Sequence, residues 1–447
     1  MKGKTPFIVL LILLPSCLFS QTTFMKTYNG AGWEYGESVV QTTDSGYILF
    51  GGALNPQTDT SSMYLVKTDL NGDTVWMKLY GEKYFTWGYS VQQTTDNGFI
   101  LVGVSTNNKI DTSVDSGFIY LVKTNETGDT LWTKYYDNAS GLSVEQTTDG
   151  GYIIVGAQDD KMYLSKTNAN GDSLWSKTYS APLFAEGYCV QQTSDSGYIL
   201  VGRARLNVND YSMYLVKTDS IGNVQWNKYF GTGSSYGHAV QQTTDGGYIA
   251  CGSQLVRVDP NGDTLWTRSI GGFHSVQQTT DGGYILAGEN GINTYLVKTD
   301  SDGYTDWAKT FGFYDSHSGK SVKQTTDGGY ILTGHTSILT SDKSAILIKT
   351  DSLGNAPPFV SVSELLSHQS IFTVYPNPTT GQITLTNLPE NENIKIAIYN
   401  VLGELLYVQK LSEASEPVID LSALSDGIYL IQLEVGQMTL NRRTIKH

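Results

Sequence analysis

The stretch "QTTDGGYIIVGAQDDKMYLSKTNANGDSLWSKTY" at residues 146–179 decides the fold, because its parts recur along the chain. Its first part, QTTD, is found seven times, once as QTSD, at spacings of 36 to 53 residues. The copies lie at 41–44, 93–96, 146–149, 192–195, 242–245, 278–281 and 324–327. Self-similarity at this period predicts an architecture of repeated structural units.

Two further parts of the stretch recur with it. The segment YLSKT at 163–167 returns as YLVKT at 64, 120, 214 and 295, and in looser form at 255 and 346. The segment around Trp175 returns around Trp76, Trp132, Trp226, Trp266 and Trp307. Because β-branched and aromatic residues dominate between Gly/Asn/Asp clusters, each unit is predicted to hold four short strands, here called a, b, c and d. Strand b, such as 198–201, is apolar on both faces, which is typical of a sheet packed between two others.

Seven four-stranded sheets that each pack between two neighbours describe a seven-bladed β-propeller, so we expect an all-β fold over residues 21–356. The seventh unit breaks off at "DSLGNAPPF" (351–359), where its d strand should begin. The segment "TTFMKTYNG" (22–30) matches "TLWTKYYDN" (130–138), with Phe24 in the position of the Trp. The start of the chain is therefore predicted to supply the missing strand and to close the ring, which leaves no exposed sheet edge.

The phrase "YLVKTDLNGDTVW" (64–76) resembles the repeats of pyrroloquinoline-quinone-type propellers. In that family the Trp docks one blade on the next, so the resemblance implies the fold. It does not imply the cofactor, because the further site residues of the quinone dehydrogenases find no match here, and we expect no cofactor. The "DLNGD" turn (69–73) has the spacing of a calcium loop, but other units lose its carboxylates and keep its Gly. A tight turn is the favoured interpretation, with calcium as the alternative.

Composition limits the function. The chain has 447 residues, 16% of them charged, with 47 Gly and 29 Tyr, which is typical of β-rich extracellular proteins. Its formal net charge is −14, so nucleic acid and anionic membrane surfaces are not expected as partners.

The N-terminus predicts export. Lys2 and Lys4 precede the apolar run 7–14, so residues 1–20 are interpreted as a signal peptide cut near Ser20. No other run approaches 18 apolar residues, and no transmembrane segment is predicted. Residues 14–17 leave open a lipoprotein acylated at Cys17. Cleavage near Ser20 would leave Cys189 and Cys251, for which two free buried thiols are favoured over a disulfide.

A binding face is predicted from loop lengths. The a–b and c–d turns are short and similar in all units, whereas the b–c and d–a connections vary, and these variable connections lie at one end of every sheet. Function on a rigid scaffold is expected on such a face. Its aromatic residues suit sugars or peptides, although about half are expected to fill gaps between blades. The aromatics are Trp33, Tyr35, Tyr84, Phe85, Trp87, Phe184, Tyr236, Phe273, Phe313 and Tyr314.

One position of strand a breaks the symmetry. It reads Glu37, Tyr89, Leu142, Tyr188, His238, His274 and Lys320 around the ring. The two histidines fall in adjacent units and could approach each other, but two histidines without a third ligand do not predict a metal site. The candidate ligand-binding residues are Trp33, Tyr35, Tyr84, Trp87, Tyr236, His238, His274 and Tyr314.

Catalytic motifs are missing from the sequence. It holds no HExxH, phosphate loop or paired-Cys zinc motif, so no catalytic residue is predicted. The favoured hypothesis is a secreted or surface binding protein for a glycan or protein. The alternative is a secreted carbohydrate-active enzyme, a glycosidase or lyase, on the same scaffold. A structural component of the cell envelope is a third possibility.

The tail differs from the repeats. After a linker at 357–371, residues 372–447 are predicted to form a small Ig-like β-sandwich of about seven strands. The segments "VYPNPTTGQITL" (374–385), "IAIYNVLGELLY" (396–407) and "IDLSALSDGIYLIQL" (419–433) closely resemble the type A C-terminal sorting domain of the type IX secretion system of Bacteroidetes. The resemblance implies contact with that secretion machinery and passage through the periplasm and across the outer membrane. The protein would then be released or attached at the cell surface. Matching motif positions are Pro376, Asn377, Pro378, Gly381, Gly403, Gly427, Tyr429 and Lys446.

Overall fold

A computed structural model describes residues 21–28, 32–81, 85–106, 117–136, 138–312, 317–337, 343–357, 373–386, 388, 394–400, 405–411, 417–435 and 438–447. The chain divides into two compact units, Met1–Pro358 and Phe359–His447. Every regular element in the described ranges is a β-strand, so the expected all-β class is confirmed. No helix in these ranges has the length and hydropathy to cross a membrane. The signal peptide and Cys17 lie outside the described residues, as do Tyr84, Phe313, Tyr314 and Gly403.

The described residues of the first unit form seven four-stranded antiparallel sheets in a propeller-like arrangement. Sheets 1 to 6 each join four consecutive strands by hairpins, as the repeat predicts. Sheet 1 contains β2 (Trp33–Gln41), β3 (Tyr47–Asn55), β4 (Thr60–Thr68) and β5 (Thr74–Tyr80); sheet 2 contains β6 (Phe85–Gln93), β7 (Phe99–Thr106), β8 (Phe118–Thr124) and β9 (Thr130–Tyr136). Sheet 3 contains β10 (Ser140–Gln146), β11 (Tyr152–Gln158), β12 (Lys161–Thr167) and β13 (Ser173–Tyr179); sheet 4 contains β14 (Phe184–Gln192), β15 (Tyr198–Asn207), β16 (Asp210–Thr218) and β17 (Val224–Phe230). Sheet 5 contains β18 (Gly237–Gln242), β19 (Tyr248–Gly252), β20 (Leu255–Val258) and β21 (Thr264–Arg268); sheet 6 contains β22 (Phe273–Gln278), β23 (Tyr284–Asn290), β24 (Asn293–Thr299) and β25 (Thr305–Phe311). Sheet 7 contains β26 (His317–Gln324), β27 (Tyr330–Ser337), β28 (Lys343–Thr350) and β1 (Phe24–Tyr28).

The c–d turns are stabilised by their own polar side chains. Asp69 Oδ1 accepts hydrogen bonds from the amides of Asn71 and Asp73, at 2.9 and 2.8 Å. Gly72 has a φ of +79°, and a Cβ there would meet the ring of Phe24 at 2.6 Å. The Asp73 carboxylate pairs with Lys26 at 2.6 Å. The Asp69 carboxylate therefore stabilises the turn itself, and the Asp73 carboxylate binds Lys26 of the neighbouring sheet, which agrees with the interpretation as a tight turn.

Each sheet contains a buried cation that sequence reasoning missed. The Lys of the "KT" segment extends to the Asp of the QTTD turn, and in sheet 4 the Nζ of Lys217 lies 2.9 Å from Asp195 and 2.8 Å from the carbonyl of Thr218. The side chain of Lys217 is only 3% exposed. The seven pairs are Lys67–Asp44, Lys123–Asp96, Lys166–Asp149, Lys217–Asp195, Arg257–Asp245, Lys298–Asp281 and Lys349–Asp327. The repeated QTTD and KT segments are therefore the two halves of one ion pair.

Replacing Asp195 with Ala is expected to lower the free energy of unfolding by about 2 kcal/mol. The change leaves the amine of Lys217 buried with a single acceptor, and an unsatisfied buried charge is costly. Asp195→Asn keeps an acceptor and should cost less. Denaturant unfolding monitored by tryptophan fluorescence measures both, and equal stability of Asp195→Ala and wild type would contradict the assigned role.

Neighbouring sheets dock through the Trp position. Trp175 of sheet 3 packs against Tyr198 of sheet 4, and the hydroxyl of Tyr179 donates to the carbonyl of Gly222. Equivalent ring pairs have centroids 5.7 to 6.1 Å apart. They are Phe24–Tyr47, Trp76–Phe99, Trp132–Tyr152, Trp175–Tyr198, Trp226–Tyr248, Trp266–Tyr284 and Trp307–Tyr330. The Trp series thus serves packing between sheets.

The first strand pairs with the seventh unit, as its sequence predicts. β1 runs antiparallel to β28, with Phe24 opposite Lys349 and Tyr28 opposite Ala345. From there Phe24 packs on Tyr47 of sheet 1, and the hydroxyl of Tyr28 donates to the carbonyl of Gly72 at 2.7 Å. Sheet 7 therefore contacts sheet 1 through the same contacts that join the other sheets.

The second unit has two sheets around one apolar core. Its strands are β29 (Thr373–Tyr375), β30 (Gln382–Thr386), β31 (Ile394–Asn400), β32 (Leu405–Leu411), β33 (Val418–Asp420), β34 (Gly427–Val435) and β35 (Met438–Lys446). β29, β30 and β33 form one sheet, and β32, β31, β34 and β35 form the other. Ile383 and Ile419 of the first pack with Ile396, Ile398 and Ile431 of the second. A C-terminal β domain is therefore present.

The sorting-domain motif holds the end of the chain. Asn377, between Pro376 and Pro378, accepts a hydrogen bond from the Ile445 amide at 3.0 Å. The Thr379 amide donates to the carbonyl of Ile445, and the His447 amide donates back to Thr379. Lys446, in the last strand, pairs with Asp426 at 2.9 Å. The hydroxyl of Tyr429 donates to the carbonyl of Ser425. Gly381 packs closely on Ser422, because a Cβ at this position would lie 2.6 Å from the Ser422 hydroxyl. Gly427 begins β34. Asn377 and Lys446 thus fix the last strand.

Candidate functional site

A β-bulge interrupts strand a of every sheet at the same place. In β2 the register shifts between Gly36 and Ser38, which leaves Glu37 without a partner in β3. The other shifts leave out Tyr89, Leu142, Tyr188, His238, His274 and Lys320. A bulge turns the extra side chain away from the regular alternation of the strand. The position that breaks the sequence symmetry is therefore the one that the backbone singles out.

The bulged residues line one cavity of about 340 Å³. The residue that follows each of them along strand a gives a second ring, which is made of small residues that include Ser38, Ser90 and Ser143. A third ring is mostly polar and includes Gln92, Glu145, Gln191, Gln241 and Lys323. Strand a of all seven sheets thus lines this cavity, and we call the level of the bulged residues its mouth.

The carboxylate of Glu145 breaks the pattern of the third ring, in which most other members are glutamines. Its Oε2 accepts a hydrogen bond from the Gln192 amide at 2.7 Å. Burial nevertheless raises its pKa to about 7, against that hydrogen bond and the nearby Lys323. Glu145 is therefore half protonated near neutral pH.

One side of the mouth is built around Arg203. Its Nε and Nη2 lie 3.0 and 2.8 Å from Oε2 of Glu186, and the Tyr188 hydroxyl donates to the same oxygen at 2.9 Å. Glu186 is 5% exposed, so it is a buried support for the guanidinium. Four rings surround the guanidinium carbon at 5.2 to 5.8 Å, and we call them the aromatic collar. They belong to Phe184, Tyr188, Tyr211 and Tyr236.

The adjoining side of the mouth is built around Glu289. Its Oε1 lies 3.4 Å from Nε2 of His274 and 3.7 Å from Nζ of Lys320, and it accepts a hydrogen bond from the Ser318 hydroxyl. The hydrogen bond with His274, aided by Ser318 and Lys320, lowers the pKa of Glu289 to about 2. Glu289 is therefore ionised at neutral pH.

The two candidate histidines lie together. The rings of His238 and His274 are 4.7 Å apart. Burial, together with the charges of His274, Lys320 and Arg203, lowers the pKa of His238 to about 3, against the opposing charge of Glu289. His238 is thus a neutral imidazole in the physiological range. No group of three His, Cys, Asp or Glu side chains in the described part of the chain could hold a metal ion.

The third side of the mouth is aromatic. The ring of Tyr35 lies 4.9 Å from those of Trp87 and His335, and Lys343 lies 5.2 Å above it. Burial raises the pKa of Glu37, although the charge of Lys320 and a hydrogen bond with Trp87 oppose the shift.

The structure brings together several of the candidates from the sequence. Tyr35 contacts Trp87, His238 contacts His274, and Tyr236 belongs to the collar, while Trp33 begins β2 two residues before Tyr35. Tyr84 and Tyr314 lie outside the described residues. Phe273 is fully buried between sheets 5 and 6, as expected of the aromatics that fill gaps.

Sequence reasoning missed Arg203 and Glu289. Both occupy the position after the constant Gly of strand b, which reads Gly52, Val104, Ala157, Arg203, Ser253, Glu289 and His335. Alignment of the repeats shows charged and ionisable residues at this second variable position, and this variation could have identified Arg203 and Glu289 as candidates.

The two cysteines are free, as favoured from the sequence. Cys251 is buried in the core between sheets 5 and 6. Cys189 is only half-buried, because it lines the cavity in the ring of small residues.

Comparison with known proteins identifies the tail. Residues 373–447 match the secretion system C-terminal sorting domain family. No curated protein matches the chain. Two solved structures are similar at low identity: Sqt1 from Chaetomium thermophilum (11% identity, 69% of this chain and 83% of that one, TM-score 0.45) and a protein of unknown function from Dyadobacter fermentans (12% identity, 73% and 98%, TM-score 0.44). These two likenesses are too distant to bear on fold or function.

The matched tail establishes where the protein works. The sorting domain directs export through the type IX secretion system to the cell surface or beyond, so the predicted localisation is confirmed. It also implies contact with the secretion machinery.

Proposed function

We propose that this exported protein is a closed seven-bladed β-propeller that binds a glycan or a protein at the mouth of its central cavity. The observation that carries the proposal is the row of bulges, which presents seven side chains of differing chemistry in one ring.

Closure of the propeller is supported by contacts between its first and last sheets. The Thr326 amide of sheet 7 donates to Oε1 of Gln41 in sheet 1 at 2.9 Å. The same bond joins Thr148 to Gln192 between sheets 3 and 4. Together with the packing of Phe24 on Tyr47, these bonds favour a ring in which sheets 1 to 7 are the blades.

We assign four regions to the chain on this basis. A signal peptide (1–20) precedes the propeller (21–356), and a linker (357–371) connects it to the sorting domain (372–447). The compact units Met1–Pro358 and Phe359–His447 are compatible with this division.

Binding is favoured because the ring separates structural from variable residues. Positions that join the sheets are nearly identical in every unit, as the Trp and Lys series illustrate. The bulged positions bear a carboxylate, phenols, imidazoles and an amine in one 340 Å³ cavity. A cavity of this size with a few convergent polar groups is typical of a binding site.

A glycan is the ligand class that the mouth suits best. Tyr35, Trp87 and Tyr236 provide flat apolar surfaces beside hydrogen-bonding groups. Sugar rings offer apolar faces for stacking and hydroxyl rims for hydrogen bonds.

A glycosidase or lyase is the second candidate, and one observation favours it. Burial raises the pKa of Glu37, whereas His274 lowers that of Glu289 to about 2, and Lys320 acts on both. Carboxylates with opposed pKa shifts at one site are typical of acid and base pairs in glycoside hydrolysis.

A glycan array probed with the full secreted chain tests the proposal. Trp87→Ala and Tyr236→Ala should each lower the affinity for a captured glycan at least tenfold, because each removes a stacking surface. Tyr304→Ala, on an exposed c–d turn away from the mouth, should leave binding unchanged. Melting temperatures of all three variants control for folding.

The same protein is incubated with polysaccharides and the products are analysed. Release of oligosaccharides at catalytic rates would favour the enzyme. Failure of the chain to bind any glycan or protein, or unchanged binding by both mouth variants, would refute the binding proposal.

A further inference from the structure

Two cations at the mouth are each paired with a carboxylate. Glu186 is buried and fixes Arg203 through Nε and Nη2. Glu289 lies 3.7 Å from the amine of Lys320. In both pairs the cation is positioned by protein, which leaves its remaining donors available to a ligand without further ordering.

The histidine pair lies within reach of both cations. Lys320 Nζ lies 3.5 Å from Nε2 of His274, whose ring lies 4.7 Å from that of His238. The charges of Lys320 and Arg203 both lower the pKa of His238. Two cations, each paired with a carboxylate, therefore lie close to the imidazoles, in a chain whose net charge is −14.

We infer that the gap between Arg203 and Lys320, above His238 and His274, binds the carboxylate of a terminal uronic acid on a glycan. The inference rests on the proposed binding function and names its ligand class.

The geometry of Arg203 favours a planar anion. Glu186 takes Nε and one side of Nη2, while Nη1 donates no hydrogen bond within the described residues. The outer edge of the guanidinium is thus free to form two parallel hydrogen bonds with a carboxylate. Its side chain is 32% exposed, so a ligand can reach it.

The aromatic collar favours a sugar as the bearer of that carboxylate. Tyr211 and Tyr236 lie within 5.7 Å of the guanidinium carbon, so a sugar whose carboxylate meets Arg203 lies beside their rings. A terminal residue fits better than an internal one, because the bulged residues surround the cavity on every side. The net charge of −14 disfavours a polyanion by long-range repulsion, but a single carboxylate acts at short range.

Isothermal titration calorimetry with two matched sugars tests the inference. Methyl β-glucuronide and methyl β-glucoside differ only in that one bears a carboxylate where the other bears a hydroxymethyl group. The full wild-type chain should bind the glucuronide at least tenfold more tightly. Arg203→Gln should abolish this preference, and Arg203→Lys should reduce it, because an amine cannot form the paired contact.

Two further variants make the test specific. Arg205→Gln removes an arginine two residues along β15 whose guanidinium already bonds the carbonyl of Val208, and it should keep the preference. Arg203→Gln combined with Glu186→Gln avoids an unpaired buried carboxylate, so it reports on binding even if the single variant is unstable. A retained preference in this double variant would overturn the inference.

The remaining outcomes separate the inference from the proposed function. Equal binding of both sugars by wild type, or capture of neutral glycans alone on the array, would overturn the uronate site and leave glycan binding intact. Preferential binding of acidic peptides would also overturn the uronate site, in favour of a protein ligand. No binding of any glycan, sugar or peptide would refute both.

Discussion

Replacing Phe24 with Ala is expected to destabilise the first unit by about 3–5 kcal/mol, the usual cost of removing a buried aromatic side chain. Phe24 is 6% exposed and packs on Tyr47 and Gly72 across the junction of sheets 7 and 1. The loss would weaken the one junction that involves both ends of the unit. Chemical unfolding of the secreted chain, followed by fluorescence, measures the change.

Two matched variants control for this effect. Phe24→Trp introduces the side chain that the six other junctions use. Phe24 packs on Gly72, and the equivalent glycines of the other units pack on Trp, so this variant should preserve stability. Trp175→Ala makes the same truncation between sheets 3 and 4, where the chain is continuous. If Phe24→Ala unfolds at the wild-type denaturant concentration, β1 does not contribute to the fold as described.

Glu145→Gln is expected to stabilise the protein by roughly 3 kcal/mol at pH 8 and to have little effect at pH 4. The pKa of Glu145 is about 7 in the folded chain against an ordinary 4.5. The folded state holds the proton of Glu145 more tightly than the unfolded state does. The free energy of unfolding is therefore highest below pH 4.5, and it falls as the pH rises from 4.5 to 7. Gln cannot ionise, and it can accept the same hydrogen bond from the Gln192 amide.

The reverse substitution is the control. Gln191 lies in the same ring and accepts a hydrogen bond from the Gln242 amide, so Gln191→Glu should destabilise the protein at pH 8 and spare it at pH 4. Calorimetric melting at both pH values reads out the two variants. An effect of Glu145→Gln that is equal at pH 4 and pH 8 would show that ionisation is not its cause.

Much of the architecture was predictable, because equivalent positions in the seven repeats have the same surroundings and therefore carry the same residue types. The apolar b strands, the Trp series and the Phe24 match lead to the sheets and to the pairing of β1 with β28. The buried lysines were not predicted, because Lys217 in "YLVKT" looks like any surface lysine. Its partner Asp195 lies 22 residues earlier in the chain, across the b–c hairpin.

The site was less predictable than the fold. The sequence indicated the variable position of strand a, but it did not indicate the bulge through which this residue lines the cavity. A bulge depends on how strand a pairs with a second strand. Arg203 and Glu289 were missed because their roles depend on Glu186, Tyr236 and Lys320, which come from other strands.

The pairing of Phe24 with Lys349 has a consequence for biogenesis. Nearly the whole first unit separates these partners in the sequence, far more than separates the two strands of a hairpin. Contacts between residues so far apart in the sequence form slowly. A nascent chain emerges with the amino-terminal strand first and must wait for β28 before that strand can pair. Pairing of β1 with β28 is therefore expected only after the whole of β28 has been translated, and the edge of β1 stays unpaired during that interval.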